Sequence, residues 1–218
     1  MKARLFEPFI GDKYFTDGIN GLRVLVVGAS FYCNKKECEH FSDCTDDNKK
    51  DSSPYDYLCP FYDAPLHNAP SEESGLAYDI FQNKMSEILN LNGDFWSYVA
   101  FTNYIQYFLG HWQTYRTNCS ERDAVALEEV VTLLEPDVVI IWGTKINKPI
   151  KDKYQSDQEI PDKTEGYISR GKIGEREVVF LIRYHPKYSG FEDIGNLKKY
   201  VSEIFTNKLK YFSNISHK

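Results

Sequence analysis

Four short apolar runs stand out along the chain, separated by segments whose apolar residues recur at helical spacing. The first, "LRVLVVG" (22–28), is rich in valine, does not alternate and closes on glycine, which predicts a buried parallel strand. "FWSYVAFTNYI" (95–105) reads as a second strand, "DVVIIWG" (137–143) as a third and "REVVFLIRYHP" (176–186) as a fourth. Between them, "GLAYDIFQNKMSEILNLN" (75–92) sets Phe81, Met85, Ile88 and Leu89 on one helical face behind a cap at Ser74. The clearest helix is "SERDAVALEEVVTLLEP" (120–136). Ser120 caps it, Asp123 follows three positions on, Ala124, Leu127, Val131 and Leu134 share a face, and Pro136 stops it. A last helix is expected over roughly 193–211, with Ile194, Leu197, Val201 and Ile204 aligned. "INKPIKDKYQSDQEIPDK" (146–163) reads as loop, and residues 29–74 show little periodicity.

Strands that alternate with helices predict an α/β fold of three layers, α/β/α, on a central, mostly parallel four-stranded sheet. Ligands of such sheets bind at the carboxyl ends of the strands. Here those ends are Gly28–Tyr32, Thr102–Tyr104, Gly143–Lys145 and Tyr184–Pro186. A length of 218 residues suits a single domain, 1–218, carrying 29–74 as an insertion.

Composition narrows the classes further. No apolar run approaches the roughly 18–20 residues that a membrane helix needs, and "MKARLFEPFIGDKYF" has no continuous apolar core of a signal peptide. A cytoplasmic monomer with no membrane association is the expectation. The net charge of −6 argues against coating nucleic acid by charge alone. The charge is uneven, however. From Asp137 onward, 15 Lys and Arg stand against 11 Asp and Glu, which leaves room for a locally basic face in that half.

Read together, the four strand ends "VLVVGASFYC", "VAFTNYIQYF", "LEPDVVIIWG" and "LIRYHPKYSG" resemble the uracil-DNA glycosylase superfamily, in order, over roughly residues 21–205. The resemblance implies a protein that hydrolyses the N-glycosidic bond of uracil or a related deaminated base in DNA, for base excision repair. By that resemblance Asn103 reads the base, since a carboxamide presents a donor and an acceptor on one edge. His185 steadies the anionic base as it leaves. Gly28, Phe31 and Tyr32 wall the base pocket, and Ser30 occupies the slot of the water-handling residue. Gripping flipped-out DNA falls to Gly143, Thr144, Pro186, Lys187, Tyr188 and Ser189.

Two departures sharpen the comparison. The best-known branch reads G-Q-D-P-Y in its first loop, so its aspartate becomes Ser30, its proline Phe31, and only Tyr32 is kept. In its last loop, H-P-S-P-L-S, the wedging leucine becomes Ser189, with Tyr188 beside it. A serine is no general base at neutral pH, which leaves Asp63, His67 or Tyr32 to position water in an enzyme. The alternative is a catalytically inactive module that binds a nucleobase or nucleic acid on the same fold. A dinucleotide-binding reading is weaker, because "VVGASFYCN" lacks G-x-G-x-x-G.

Four of the five cysteines crowd into Cys33-x4-Cys38-x5-Cys44-x14-Cys59. In a reducing compartment thiolates at this density point to a metal rather than to disulfides. A structural Zn²⁺ held by Cys33, Cys38, Cys44 and Cys59 is the first expectation, with a [4Fe–4S] cluster as the alternative and His40 and His67 as spare ligands. One glycosylase branch carries a four-cysteine [4Fe–4S] cluster, though its ligands are split between two parts of the chain. Cys119, before the 120–136 helix, is read as a lone thiol.

Overall fold

The computed structural model describes residues 7–32, 76–89, 91, 95–106, 108–109, 119–142, 146–162 and 166–183. Its spine is four parallel strands: β2 (Val24–Gly28), β4 (Val99–Asn103), β6 (Val138–Trp142) and β9 (Arg176–Arg183). Strand β2 lies between β4 and β6, and β9 follows on the far side of β6. Every residue of β2, β4 and β6 is buried, as their unbroken apolar runs require of strands covered on both faces.

The sheet is wider than the four strands expected. Two-residue β1 (Phe9–Ile10) pairs antiparallel with β4 at one edge. At the other, β7 (Gln155–Asp162) and β8 (Gly166–Ile173) add antiparallel strands beside β9, so the sheet is mixed and, among the described residues, seven-stranded. The stretch read as loop over 146–163 is therefore ordered, first as the helix α4 (Asn147–Tyr154) and then as β7. Helix α4 forms because Ile146, Ile150 and Tyr154 recur every four residues and are all buried, a stripe that the surrounding Lys and Asp hide in a reading of polarity alone.

Successive residues of the parallel strands serve opposite faces. On one, Val24, Val26, Val138, Ile140 and Leu181 pack with Met85 of α1 (Leu76–Leu89) and with Phe95 and Trp96 of α2 (Phe95–Tyr98). On the other, Leu25, Val27, Val139, Ile141 and Phe180 pack with Leu127, Val130, Val131 and Leu134 of α3 (Glu121–Leu134), and with Ile150 of α4. Residues 95–98, expected as the start of the second strand, instead make one helical turn that delivers Phe95 and Trp96 into the core. Helix α3 runs as its pattern predicts, with Ser120 as N-cap and a left-handed Glu135 as C-cap. The helix expected over 193–211 lies outside the described residues.

At the amino ends of the strands, Asp137 clamps the sheet. Its Oδ2 accepts a hydrogen bond from the Arg23 N–H at 2.9 Å, and its Oδ1 accepts from Arg176 Nη2 at 2.8 Å. Arg23 also pairs with Glu135 at 2.9 Å. The entries of β2, β6 and β9 are thus held in one ionic cluster.

Candidate functional site

The carboxyl ends of the four parallel strands form one row. Gly28 stands opposite Asn103, Val27 opposite Ile141, and Trp142 opposite Arg183, so Asn103, Gly28, Trp142 and Arg183 end side by side. The chain leaves β2 for β4 on one side and then crosses to β6 on the other, so β2 and β6 flank the topological switch point where open α/β sheets bind ligands.

At this edge the ladder between β2 and β4 continues past the strands. Tyr104 N–H donates to the Gly28 carbonyl at 2.9 Å and Ile105 N–H to that of Ala29 at 3.0 Å. The two chains then pair again as β3 (Phe31–Tyr32) and β5 (Phe108–Leu109), a small second parallel sheet. The loop after the first long strand and the loop after the second are thereby kept together.

The Asn103 carboxamide lies directly across Gly28. A Cβ at position 28 would sit 2.4 Å from Asn103 Oδ1 and 3.0 Å from the Phe101 ring, so only glycine admits this placement. Asn103 is 2 % exposed, and its Nδ2 has no hydrogen-bond partner among the described residues. Leaving a buried N–H donor unpaired costs about 1–3 kcal/mol, so a binding partner for it is to be sought. Ser30, 8 % exposed, follows two residues after Gly28. Beneath the row, Phe101 stacks edge-on against Trp142 at 6.0 Å and Trp96 at 5.9 Å, giving the site an aromatic floor.

Behind Asn103 the chain bends, and side chains add to the ladder bonds of Tyr104 and Ile105 in holding the bend. Gln106 Nε2 donates to the Asn103 carbonyl at 2.6 Å, while the Gln106 N–H donates to Asp123 Oδ1 at 2.9 Å. The other Asp123 oxygen accepts from Ser120 N–H at 2.7 Å and from Ser120 Oγ at 3.1 Å. Tyr104 is buried in the same bend. Burial above all, and then the nearby charges of Cys119 and Asp123, push its phenol well above the usual value.

Compared with known proteins, the chain matches no family model and no curated protein sequence. The site therefore stands on its own residues.

Of the residues singled out in the sequence, Gly28, Ser30 and Asn103 come together at this edge. Phe31 and Tyr32 follow in the β3 backbone; their side chains are not among those described. Gly143, Thr144, His185, Pro186, Lys187, Tyr188 and Ser189 lie outside the described residues, as do Cys33, Cys38, Cys44, Cys59, Asp63 and His67. Trp142 and Arg183 immediately precede two of those segments and sit in the row with Gly28 and Asn103. Among the described residues no cluster of three or more His, Cys, Asp or Glu would hold a metal ion, and no helix is long and apolar enough to cross a membrane.

Gln106 was not legible as a site residue. Asp123 was visible only as the third residue of a helix cap, and nothing in its spacing signals a second bond 17 residues back. A cavity of about 440 Å³ opens at the opposite edge, lined by Arg23, Arg176, Glu135 and Asp137 among others. Its two arginines are already paired with its carboxylates, so it reads as part of the ionic clamp rather than as a second site.

Proposed function

We propose that the chain is a uracil-DNA glycosylase-like protein that takes an extrahelical uracil, or a related deaminated base, at the carboxyl edge of β2 and β4. The observation that carries this reading is the buried Asn103 carboxamide, laid across Gly28 with a donor unpaired. One amide edge that offers N–H and C=O together matches the O4 and N3–H edge of uracil. Burial makes the match selective, because a base that leaves the amide unsatisfied forfeits hydrogen bonds that water cannot replace there.

In this reading the fold is a three-layer α/β/α sandwich whose parallel centre positions the site. Water attacks the sugar C1′, the C1′–N1 bond breaks, and the base departs as an anion that takes up a proton. His185 stabilises that anion at O2. Gly143, Thr144 and the Pro186–Ser189 loop grip the DNA. Cys33, Cys38, Cys44 and Cys59 would hold a structural Zn²⁺, or a [4Fe–4S] cluster, whose binding would supply folding free energy to the 29–74 insertion.

One observation favours a second reading. The slot for the water-activating residue holds Ser30, whose hydroxyl does not deprotonate at neutral pH, so the same pocket suits a module that binds the base without cutting. Incubation with single- and double-stranded DNA containing uracil, followed by alkaline cleavage of abasic sites, separates the two. Strand breaks that vanish in Asn103→Ala and His185→Ala support the enzyme. Binding without breaks at stoichiometric protein supports the module, and neither breaks nor uracil-dependent binding removes both. Metal analysis with a visible spectrum tests the cysteines: about one equivalent of colourless zinc is expected, brown absorbance means iron–sulfur, and neither metal removes the centre.

A further inference from the structure

We propose that Asp123 and Gln106 are positioning residues for Asn103, a relay that runs from the first turn of α3 to the sheet edge and fixes the backbone from which the Asn103 carboxamide projects before any ligand arrives. The inference rests on the base-reading role given to Asn103 above, and it adds two residues that no strand-end reading would include.

The geometry of Asp123 goes beyond what a helix cap needs. Capping uses one oxygen, Oδ2, which takes both Ser120 donors. The second oxygen reaches across to the Gln106 N–H, on a segment belonging to the sheet rather than to the helix. Gln106 is 2 % exposed and Asp123 1 % exposed, so water does not compete for these bonds. With its N–H held, Gln106 directs Nε2 onto the main-chain carbonyl of Asn103 at 2.6 Å. The Asn103 peptide plane is thereby fixed from behind, while the absent side chain of Gly28 makes room for its Oδ1 in front. A backbone fixed at Asn103 limits the directions in which its carboxamide can project, which lowers the entropy lost when the base binds.

The test uses the full chain labelled with ¹⁵N. The Asn103 side-chain NH₂ resonances are assigned by their loss in Asn103→Asp. Gln106→Met keeps length and burial but removes the donor, and it is expected to shift or broaden those resonances. Asp123→Asn, which retains only one good acceptor, should do the same. Ser120→Ala, which loses a cap bond but not the relay, should leave them in place. In parallel, affinity is measured for an oligonucleotide carrying deoxyuridine and for the same strand with a tetrahydrofuran abasic site.

Gln106→Met should bind the deoxyuridine strand about ten-fold more weakly, one good hydrogen bond's worth, with affinity for the abasic strand unchanged. A merely structural role would move both affinities together or neither. Unmoved Asn103 resonances in Gln106→Met overturn the relay, and so does an unchanged ratio of the two affinities. A wild-type protein that does not distinguish the two strands refutes base reading itself, and the resonances then decide the relay alone. Should Asp123→Asn fail to fold, Gln106→Met still carries the decision.

Discussion

Asn103 and Gly28 act as a pair, since the carboxamide occupies the space a side chain at 28 would fill. Gly28→Ala brings a methyl within 2.4 Å of Asn103 Oδ1 and 3.0 Å of Phe101, both of which are side-chain atoms able to give way. The variant is therefore expected to fold with a melting temperature within a few degrees of wild type, yet to lose at least about ten-fold in uracil-dependent binding as the amide is pushed aside. Titration of a deoxyuridine oligonucleotide checks this. Undiminished binding by Gly28→Ala would mean that the Asn103 placement does not matter to the ligand. Asp137 shows another single residue with wide reach: with one carboxylate it holds a β2 backbone N–H and a β9 guanidinium.

Among the secondary-structure elements, the hairpin of β8 and β9 shows where sequence patterns mislead. Strand β8 turns Ser169, Gly171 and Ile173 toward the same side, and only the last is a strong apolar signal. Gly171 is there because a Cβ would fall 2.2 Å from the Tyr154 carbonyl oxygen and 2.7 Å from the Phe180 ring. The end of α4 thus lies almost against the strand. Gly171→Val must displace backbone rather than a flexible tip, and it is expected to cost roughly 2–3 kcal/mol, read as a fall in the denaturation midpoint without change in slope. A midpoint equal to wild type would show that α4 and β8 are not so closely packed.

The same reasoning explains what was legible. Strands β2, β4 and β6 are continuous apolar runs and α3 has a cap, a stripe and a stop, so period and punctuation sufficed for them. Strands β7 and β8 and helix α4 are carried by glycine, serine and widely spaced apolar residues amid charge, and only tertiary contact reveals them. In the site, Gly28, Ser30 and Asn103 were legible because strand ends in α/β sheets are where ligands bind. Gln106 and Asp123 were not, because their bond joins a bend to a helix start, and no local spacing encodes it.

Taking the protein as one body, its response to alkali follows from three buried phenols. Tyr14 donates to the Leu134 carbonyl, and Tyr154 lies between the Ala124 carbonyl and Glu128 Oε1. Burial is the largest influence on Tyr14, Tyr104 and Tyr154, and it raises all three well above the ordinary tyrosine value of about 10. Their contribution to stability is whole below pH 10 and is lost above it, as the unfolded chain ionises and the folded one resists. Titration followed at 295 nm should show phenols among the 16 tyrosines that ionise only as the circular dichroism collapses. If every phenol titrates near pH 10 with the fold intact, the burial of these three is refuted.

The place of β2 in the sheet has a further consequence, for the order in which the protein can be made. This strand pairs with Val99–Asn103 on one side and with Val138–Ile141 on the other, and the bond from Arg23 to Asp137 spans 114 positions. On the ribosome, five consecutive buried residues emerge early and wait for partners that do not yet exist. Closing such distant pairings is slow and leaves sticky backbone exposed meanwhile. An interior strand of the sheet is thus the first long strand to be synthesised but gains its second partner only after Ile141, so a nascent chain cut short before Asp137 would leave one edge of β2 open to pair with its neighbours.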